Sequence, residues 1–90
     1  MRVAFRVHGE VQGVGYRRFA CREAQALDLA GWVRNEPDGS VSGEAEGPGT
    51  ALAAFRDRLA EGPPFAAVGR LDWQALDVRS SLPSPFQIIR

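Results

Sequence analysis

Hydrophobic and polar residues alternate along three stretches of the chain. In residues 1–8, Val3, Phe5 and Val7 lie on one side, and polar or small residues lie between them. A period of two is typical of a strand with one buried face. The alternation slips at Ala75–Leu76, which predicts a β-bulge there. Further strands are predicted over the alternating stretches 40–46 and 70–78 and over the short apolar runs 29–35 and 86–89.

Two other stretches repeat their hydrophobic residues every three or four positions. This spacing predicts a helix over residues 16–28 and a second helix in the fifties. Thr50 is a suitable N-cap for the second helix, and Gly62 and the two prolines after it end it. The apolar stripes comprise Tyr16, Phe19, Ala20, Ala24 and Leu27 in the first helix, and Leu52, Phe55 and Leu59 in the second.

The order of these elements predicts the fold class. Strands 29–35 and 40–46 form a hairpin, because Glu36–Gly39 has the proline and glycine positions of a β-turn. The chain then reads strand, helix, strand, strand, helix, strand, with a short extra strand at its C-terminal end. This order predicts an α+β, ferredoxin-like βαββαβ sandwich, an antiparallel sheet with two helices on one face. The 90 residues make one domain over residues 1–90.

The amino-acid composition excludes several classes of function. Eleven arginines balance eleven acidic residues and there is no lysine, which argues against a general nucleic-acid or membrane-surface binder. One histidine and one cysteine exclude the common zinc sites, and the lone Cys21 cannot form an internal disulfide. No apolar run approaches the roughly 20 residues of a membrane span. We therefore expect a cytoplasmic monomer that binds neither nucleic acid nor a membrane.

A glycine-rich loop lies between the first strand and the first helix. Its glycines are Gly9, Gly13 and Gly15, and Arg17 follows in the first turn of the helix. Glycines let backbone N–H groups turn toward one point, the helix start adds a positive dipole, and a guanidinium can bind two phosphate oxygens. This pattern is compatible with a phosphate site. It is more typical of a tight turn that needs glycine, with Arg17 on a solvated face, and neither common nucleotide-phosphate motif is present.

The stretch Gly9-Glu-Val-Gln-Gly-Val-Gly-Tyr-Arg17 closely resembles the signature of the acylphosphatases. These small enzymes hydrolyse the mixed anhydride of a carboxylic acid and phosphate. The resemblance continues in order through residues 31–35, 38–41, 46–48 and 86–88, and so covers nearly the whole chain. It implies a ferredoxin-like fold, a small acyl phosphate as the substrate, and hydrolysis without a metal or another cofactor.

The resemblance also implies the site residues. It places the phosphate-binding catalytic arginine at Arg17 and the amide that positions the attacking water at Asn35. Asn35 also precedes a turn, a place where asparagine is common for conformational reasons. Phosphate or sulfate should compete with the substrate for such a site. The loop that would supply backbone donors comprises Glu10, Val11, Gln12, Gly13, Val14, Gly15 and Tyr16.

Three other functions are compatible with this fold class. An RNA-binding module would need exposed aromatic residues and a basic sheet face, which neither motif nor charge supports. A hydrogenase-maturation protein that handles carbamoyl phosphate contains a similar domain, but we expect this chain to be complete at 90 residues, without a zinc-finger extension. A regulatory domain for a small ligand would not require Arg17 and Asn35 together.

The remaining polar and aromatic residues are assigned structural roles. Cys21 lies inside a predicted helix, without the spacing to an arginine that thiol phosphatases use, and is expected to pack. His8 is expected to be structural or exposed. Glu23 lies within an apolar stripe, which predicts a hydrogen bond or an ion pair. Trp32 and Trp73 are predicted to lie in the core.

Overall fold

The computed structural model describes residues 1–77 and 80–90. Most predicted elements are present, with ends shifted by one to three residues. The first helix stops before the predicted residue 28 because Asp28 adopts a left-handed φ of 56°. The elements are β1 (Arg2–Glu10), α1 (Tyr16–Ala26), β2 (Ala30–Asn35), β3 (Val41–Glu46), α2 (Gly49–Glu61), β4 (Ala67–Leu76) and β5 (Gln87–Ile88).

The five strands form one sheet in the order β4-β1-β3-β2-β5. The first four strands pair antiparallel with their neighbours, which is the ferredoxin-like arrangement predicted from the sequence. The short C-terminal strand pairs parallel with β2, where Trp32 lies opposite Gln87. The sheet is therefore mixed. Its two edge strands are β4 and β5, so the chain crosses from one edge of the sheet to the other between them.

The core lies between the sheet and the two helices. Val3, Phe5 and Val7 are all buried there, as their alternation predicts. The ring of Phe55 in α2 meets Phe5 edge-on at 5.6 Å between centroids and contacts Phe86 at 5.8 Å. Phe86 thus anchors the C-terminal segment beneath the helices.

The predicted β-bulge at Ala75–Leu76 is wrong. Ala75 and Leu76 pair regularly with β1, and the register shift lies instead between His8 and Gly9. A Cβ at Gly9 would lie 2.2 Å from the carbonyl oxygen of Ala67, so the irregularity is located where glycine permits a close approach. The predicted end of the fourth strand at residue 78 lies outside the described residues.

Helix α2 also begins differently from the prediction. It starts at Gly49, so Thr50 lies inside its first turn and is not the N-cap. Pro48 occupies the cap position with φ −61° and ψ 147° and no side-chain hydrogen bond. Proline fits there because the first N–H groups of a helix have no intrahelical acceptor to lose.

The prediction that Trp32 lies in the core is wrong. Its neighbours Gly31 and Val33 are buried on the helix side, so Trp32 lies on the open face of the sheet. The Arg34 guanidinium lies 5.0 Å from its ring centroid. Trp73 does face the helices and stacks on a core phenylalanine at 6.4 Å.

The polar residues with predicted structural roles connect elements. Glu23 pairs with Arg58 at 2.6 Å and links the two helices, which confirms the predicted ion pair. The Cys21 thiol donates to the carbonyl of Phe86 at 3.3 Å, and burial raises its pKa. His8 contacts Asp72 at 3.0 Å on the open sheet face.

Candidate active site

A cleft of about 510 Å³ lies where the C-terminal ends of β1 and β2 meet the start of α1. Both strands pair antiparallel with β3, so they run parallel to each other and end at the same edge of the sheet. This topology brings Asn35, the last residue of β2, beside the loop that follows β1. The cleft is lined by Val11, Gly13, Gly15, Tyr16, Arg17, Arg18, Asn35, Ile88 and Arg90.

The loop over residues 11–15 turns at two glycines. Gly13 has a φ of 75° and Gly15 a φ of 79°, in the left-handed region that other residues rarely adopt. A Cβ at either position would meet nothing within 4 Å, so the backbone conformation rather than space requires glycine. No described residue accepts a hydrogen bond from the N–H groups of residues 12–15. These donors are free to bind a ligand.

The start of α1 adds positive charge to the cleft. Gly15 is the N-cap, and the first turn has neither a side-chain cap nor an acidic residue. The first intrahelical hydrogen bond runs from the N–H of Phe19 to the Gly15 carbonyl at 3.0 Å. The N–H groups before Phe19 therefore point out of the helix end, where the helix dipole favours an anion.

Two arginines of the first helical turn line the cleft, and neither is neutralised by a carboxylate. Arg17 is half-buried, and Arg18 is exposed. Among the described residues, no salt bridge involves either guanidinium. No acidic side chain of residues 1–77 or 80–90 lines the cleft. The site is thus cationic although the chain as a whole carries no net charge.

Asn35 faces this positive region from the hairpin. Its backbone ends the β2–β3 ladder opposite Val41. Its side-chain oxygen Oδ1 is buried and has no hydrogen-bond partner within the described part of the chain. Buried polar atoms in native proteins usually have a hydrogen-bond partner. Asn35 therefore carries, beside the cleft, an acceptor that no described residue uses.

The turn after Asn35 is held rigidly. The N–H of Gly39 donates to the Glu36 carbonyl at 3.1 Å, which closes the predicted β-turn. The Asp38 carboxylate accepts from the N–H and the hydroxyl of Ser40, at 2.9 and 2.6 Å. The side-chain amide of Gln12 donates to the carbonyls of Glu36 and Ser40, at 2.8 and 2.9 Å. The loop and the hairpin are thus joined by a side chain.

Two carboxyl groups of the hairpin and one phenol near the cleft have shifted pKa values. Hydrogen bonds from Ser42 and Arg34 lower the pKa of Glu36, and those from Ser40 lower the pKa of Asp38. Burial raises the pKa of Tyr16, whose hydroxyl donates to the Leu59 carbonyl at 2.6 Å in the core. Neither carboxylate is poised to act as a base near neutrality, and the phenol contacts α2 rather than the cleft.

The structure gathers most of the predicted site residues and adds three. Glu10 ends β1, where it pairs with Ala67, and is exposed. Neither Glu10 nor Gln12 nor Val14 lines the cleft. The predicted residues that meet there are Arg17, Asn35, Val11, Gly13, Gly15 and Tyr16, and the sequence analysis missed Arg18, Ile88 and Arg90.

The missed residues differ in how they could have been found. Arg18 stands next to Arg17 at a predicted helix start, so the sequence contained its signal. Ile88 and Arg90 reach the cleft because β5 lies beside β2, and a two-residue strand has no pattern that predicts its neighbour.

The described part of the chain has neither a cluster of metal ligands nor a membrane-spanning helix. Residues 1–77 and 80–90 contain no group of three histidine, cysteine or acidic side chains able to hold a metal ion. No helix within those ranges is long and apolar enough to cross a membrane.

Comparison with known proteins identifies the family. The acylphosphatase family model matches residues 3–88. The chain belongs to the acylphosphatase family. It is 54% identical over 71 residues to an acylphosphatase of Salinibacter ruber, covering 79% of this chain and 75% of that protein. It is 44% identical over 87 residues to one of Mesorhizobium japonicum, covering 97% and 92%.

A solved acylphosphatase has the same fold. The crystal structure of the Bacillus subtilis enzyme superposes with a TM-score of 0.94 at 37% identity, covering 99% of this chain and 98% of that one. Acylphosphatases are hydrolases of acyl phosphates, so the predicted fold, family and reaction are confirmed together.

Proposed function

We propose that the cleft hydrolyses acyl phosphates with the phosphoryl group held by the loop Glu10–Tyr16 and Arg17, and with the attacking water positioned by Asn35. One observation carries this proposal. Unused backbone donors, an unpaired guanidinium and a buried amide oxygen without a donor all lie at the same cleft. The first two features suit a phosphate, and the third suits a water.

The loop and Arg17 bind the phosphoryl oxygens. The N–H groups of residues 12–15 and of the first helical turn can donate to one or two of these oxygens. The Arg17 guanidinium adds a planar pair of donors and a full charge. These groups act from a preformed site, so the charge that spreads over the oxygens in the transition state is stabilised without reorganisation.

Asn35 orients the nucleophile. Its Oδ1 accepts a hydrogen bond from a water, which directs the water oxygen toward phosphorus. An amide is no base at neutral pH, and the pKa of the neighbouring Glu36 is lowered. The water proton therefore passes to a phosphate oxygen or to bulk solvent. The new bond joins the water oxygen to phosphorus, and the bond that breaks joins phosphorus to the acyl oxygen.

The leaving group sets the substrate class. The acyl oxygen departs with the bonding pair as a carboxylate, which is stable without protonation. The leaving group of an alkyl phosphate is an alkoxide, which needs protonation by a general acid. None of the acidic side chains that the structure describes lines the cleft. The expected substrates are small acyl phosphates, and inorganic phosphate or sulfate should compete for the same donors.

The test is phosphate release from acetyl phosphate, with glycerol phosphate as the alkyl comparison. Arg17→Ala should lower kcat/KM by about 100-fold to 1,000-fold, the effect of removing one preorganised oxyanion donor. The matched control is Arg22→Ala, an exposed arginine of the same helix that does not line the cleft and should leave the rate unchanged. Equal losses in the two variants, or comparable turnover of glycerol phosphate, would contradict the proposal.

We also propose the setting in which the enzyme acts. The lone Cys21 is half-buried and donates to a backbone carbonyl, so it suits a reducing compartment such as the cytoplasm. One copy of the chain supplies all the residues that the proposed reaction uses, which supports action as a monomer. Sedimentation of the purified protein at assay concentration tests the oligomeric state.

A further inference from the structure

Gln12 does not line the cleft, but its side chain joins the two halves of the proposed site. Its Nε2 donates to the carbonyl oxygens of Glu36 at 2.8 Å and Ser40 at 2.9 Å. Gln12 belongs to the loop that would bind the phosphoryl group. The two acceptors belong to the turn that directly follows Asn35. One side chain thus bridges the anion-binding part and the water-positioning part.

The two acceptors are the carbonyls that shape this turn. The Glu36 carbonyl also accepts from Gly39, and the Ser40 carbonyl also accepts from the N–H of Glu36 at 2.8 Å. A side chain that is hydrogen-bonded to both carbonyls is therefore connected to both ends of the turn. Because Asn35 is covalently attached to Glu36, any movement of the turn moves the Asn35 amide.

The sheet itself does not hold the loop against the hairpin at this end. The pairing of β1 with β3 ends at Val7 and Val41, before the loop begins. Arg6 also pairs with Asp38 at 3.3 Å, but Arg6 lies within β1. Among the side chains of loop residues 11–15, within the described part of the chain, only that of Gln12 hydrogen-bonds to the hairpin.

We propose that Gln12 is a positioning residue that fixes the distance between the phosphoryl-binding loop and Asn35. This inference rests on the proposed roles of Arg17 and Asn35. In-line attack requires the water oxygen to be held at a defined position relative to phosphorus. A misplacement of about 1 Å can lower the rate roughly 100-fold. The side chain of Gln12 supplies that alignment without touching the substrate.

The experiment replaces Gln12 by methionine, which has similar length but no amide. Gln12→Met should lower kcat on acetyl phosphate by about tenfold to 100-fold. The inhibition constant of inorganic phosphate should stay near the wild-type value, because the loop and Arg17 remain on one side of the lost contact. A purely structural role would instead change kcat and phosphate binding together, or neither.

Gln25 offers a matched control. Its Nε2 donates to the Phe86 carbonyl at 2.9 Å, in the last turn of α1, whereas the cleft lies at the first turn. Gln25→Met removes the same amide and a similar hydrogen bond, and it should leave kcat unchanged. If both variants lower kcat equally, the effect is general loosening of the fold and the proposal is overturned.

A variant with a titratable group gives a second readout that does not depend on comparing stabilities. Both contacts of the Gln12 side chain are donations to carbonyl oxygens. In Gln12→Glu at neutral pH, an ionised carboxylate faces these two oxygens, and it has no hydrogen to donate. The introduced carboxyl can donate one hydrogen bond once it is protonated, near pH 4.3. The kcat of Gln12→Glu relative to wild type should rise as pH falls from 7 to 4, whereas that of Gln25→Glu should stay flat. A flat ratio for Gln12→Glu would overturn the proposal.

The double variant separates this inference from the proposed function. If Gln12 acts through Asn35, Gln12→Met should lower kcat little further in an Asn35→Ala background. If Asn35→Ala itself retains wild-type kcat, the assigned role of Asn35 fails. If Asn35→Ala loses activity and the two losses multiply, the proposed function stands and the role of Gln12 is refuted.

Discussion

The substitution Asn35→Ala should separate stability from catalysis. The Oδ1 of Asn35 is buried without a hydrogen-bond partner among the described residues. The amide makes no hydrogen bond to a described residue, so its removal should change the free energy of unfolding by less than about 1 kcal/mol. In a domain of this size, that keeps the change in Tm below about 4–8 °C.

The same substitution should nearly abolish turnover. If the amide orients the attacking water, its loss removes an interaction made mainly in the transition state. The expected decrease in kcat is about 100-fold to 1,000-fold, as for the loss of one preorganised donor. In the proposed mechanism phosphate binds the loop and Arg17 rather than Asn35, so its inhibition constant should change little.

Thermal unfolding followed by circular dichroism and phosphate release from acetyl phosphate measure the two effects on one protein preparation. Gln74→Ala is a suitable control, because it removes an exposed amide of β4 away from the cleft. It should change neither Tm nor kcat. A lower Tm together with weaker phosphate binding would refute the reasoning, since Asn35 would then be a structural or phosphate-binding residue. Full activity would leave it only a turn residue.

Three further predictions concern the buried phenol, acid stability and metal independence. Tyr16→Phe leaves the Leu59 carbonyl at the end of α2 without its donor, so urea unfolding should show a loss of about 1–3 kcal/mol with kcat preserved. Hydrogen bonds lower the pKa of Glu36, Asp38 and Asp72, so their stabilisation is present above their unfolded pKa values near 4 and lost as pH falls below them. The urea midpoint should therefore decrease between pH 6 and pH 3, and less so when all three are replaced by amides. Acetyl phosphate hydrolysis should persist in EDTA and be inhibited competitively by phosphate; loss in EDTA with recovery on adding magnesium would contradict this.

Local patterns in the sequence predicted the helices and strands. The alternation of Val3, Phe5 and Val7 indicated the buried face of β1, because side chains of a strand alternate between its two faces. The glycines at 13 and 15 indicated the loop before α1, because left-handed turns and a helix start depend on neighbouring residues. The roles of this loop and Arg17 were predicted from the resemblance to the acylphosphatases. These features involve short-range backbone geometry, which a few consecutive residues determine.

Other features depend on which strands become neighbours. Asn35 reaches the loop only because β1 and β2 both pair with β3, and Ile88 and Arg90 reach the cleft only because β5 joins the sheet beside β2. The open-face position of Trp32 follows from the register of β2, and a shift of one residue would have reversed it. The bond from Gln12 to the hairpin likewise joins residues far apart in the chain. Pairing between distant segments depends on the packing of the whole domain. The local pattern of residues therefore did not predict which strands become neighbours.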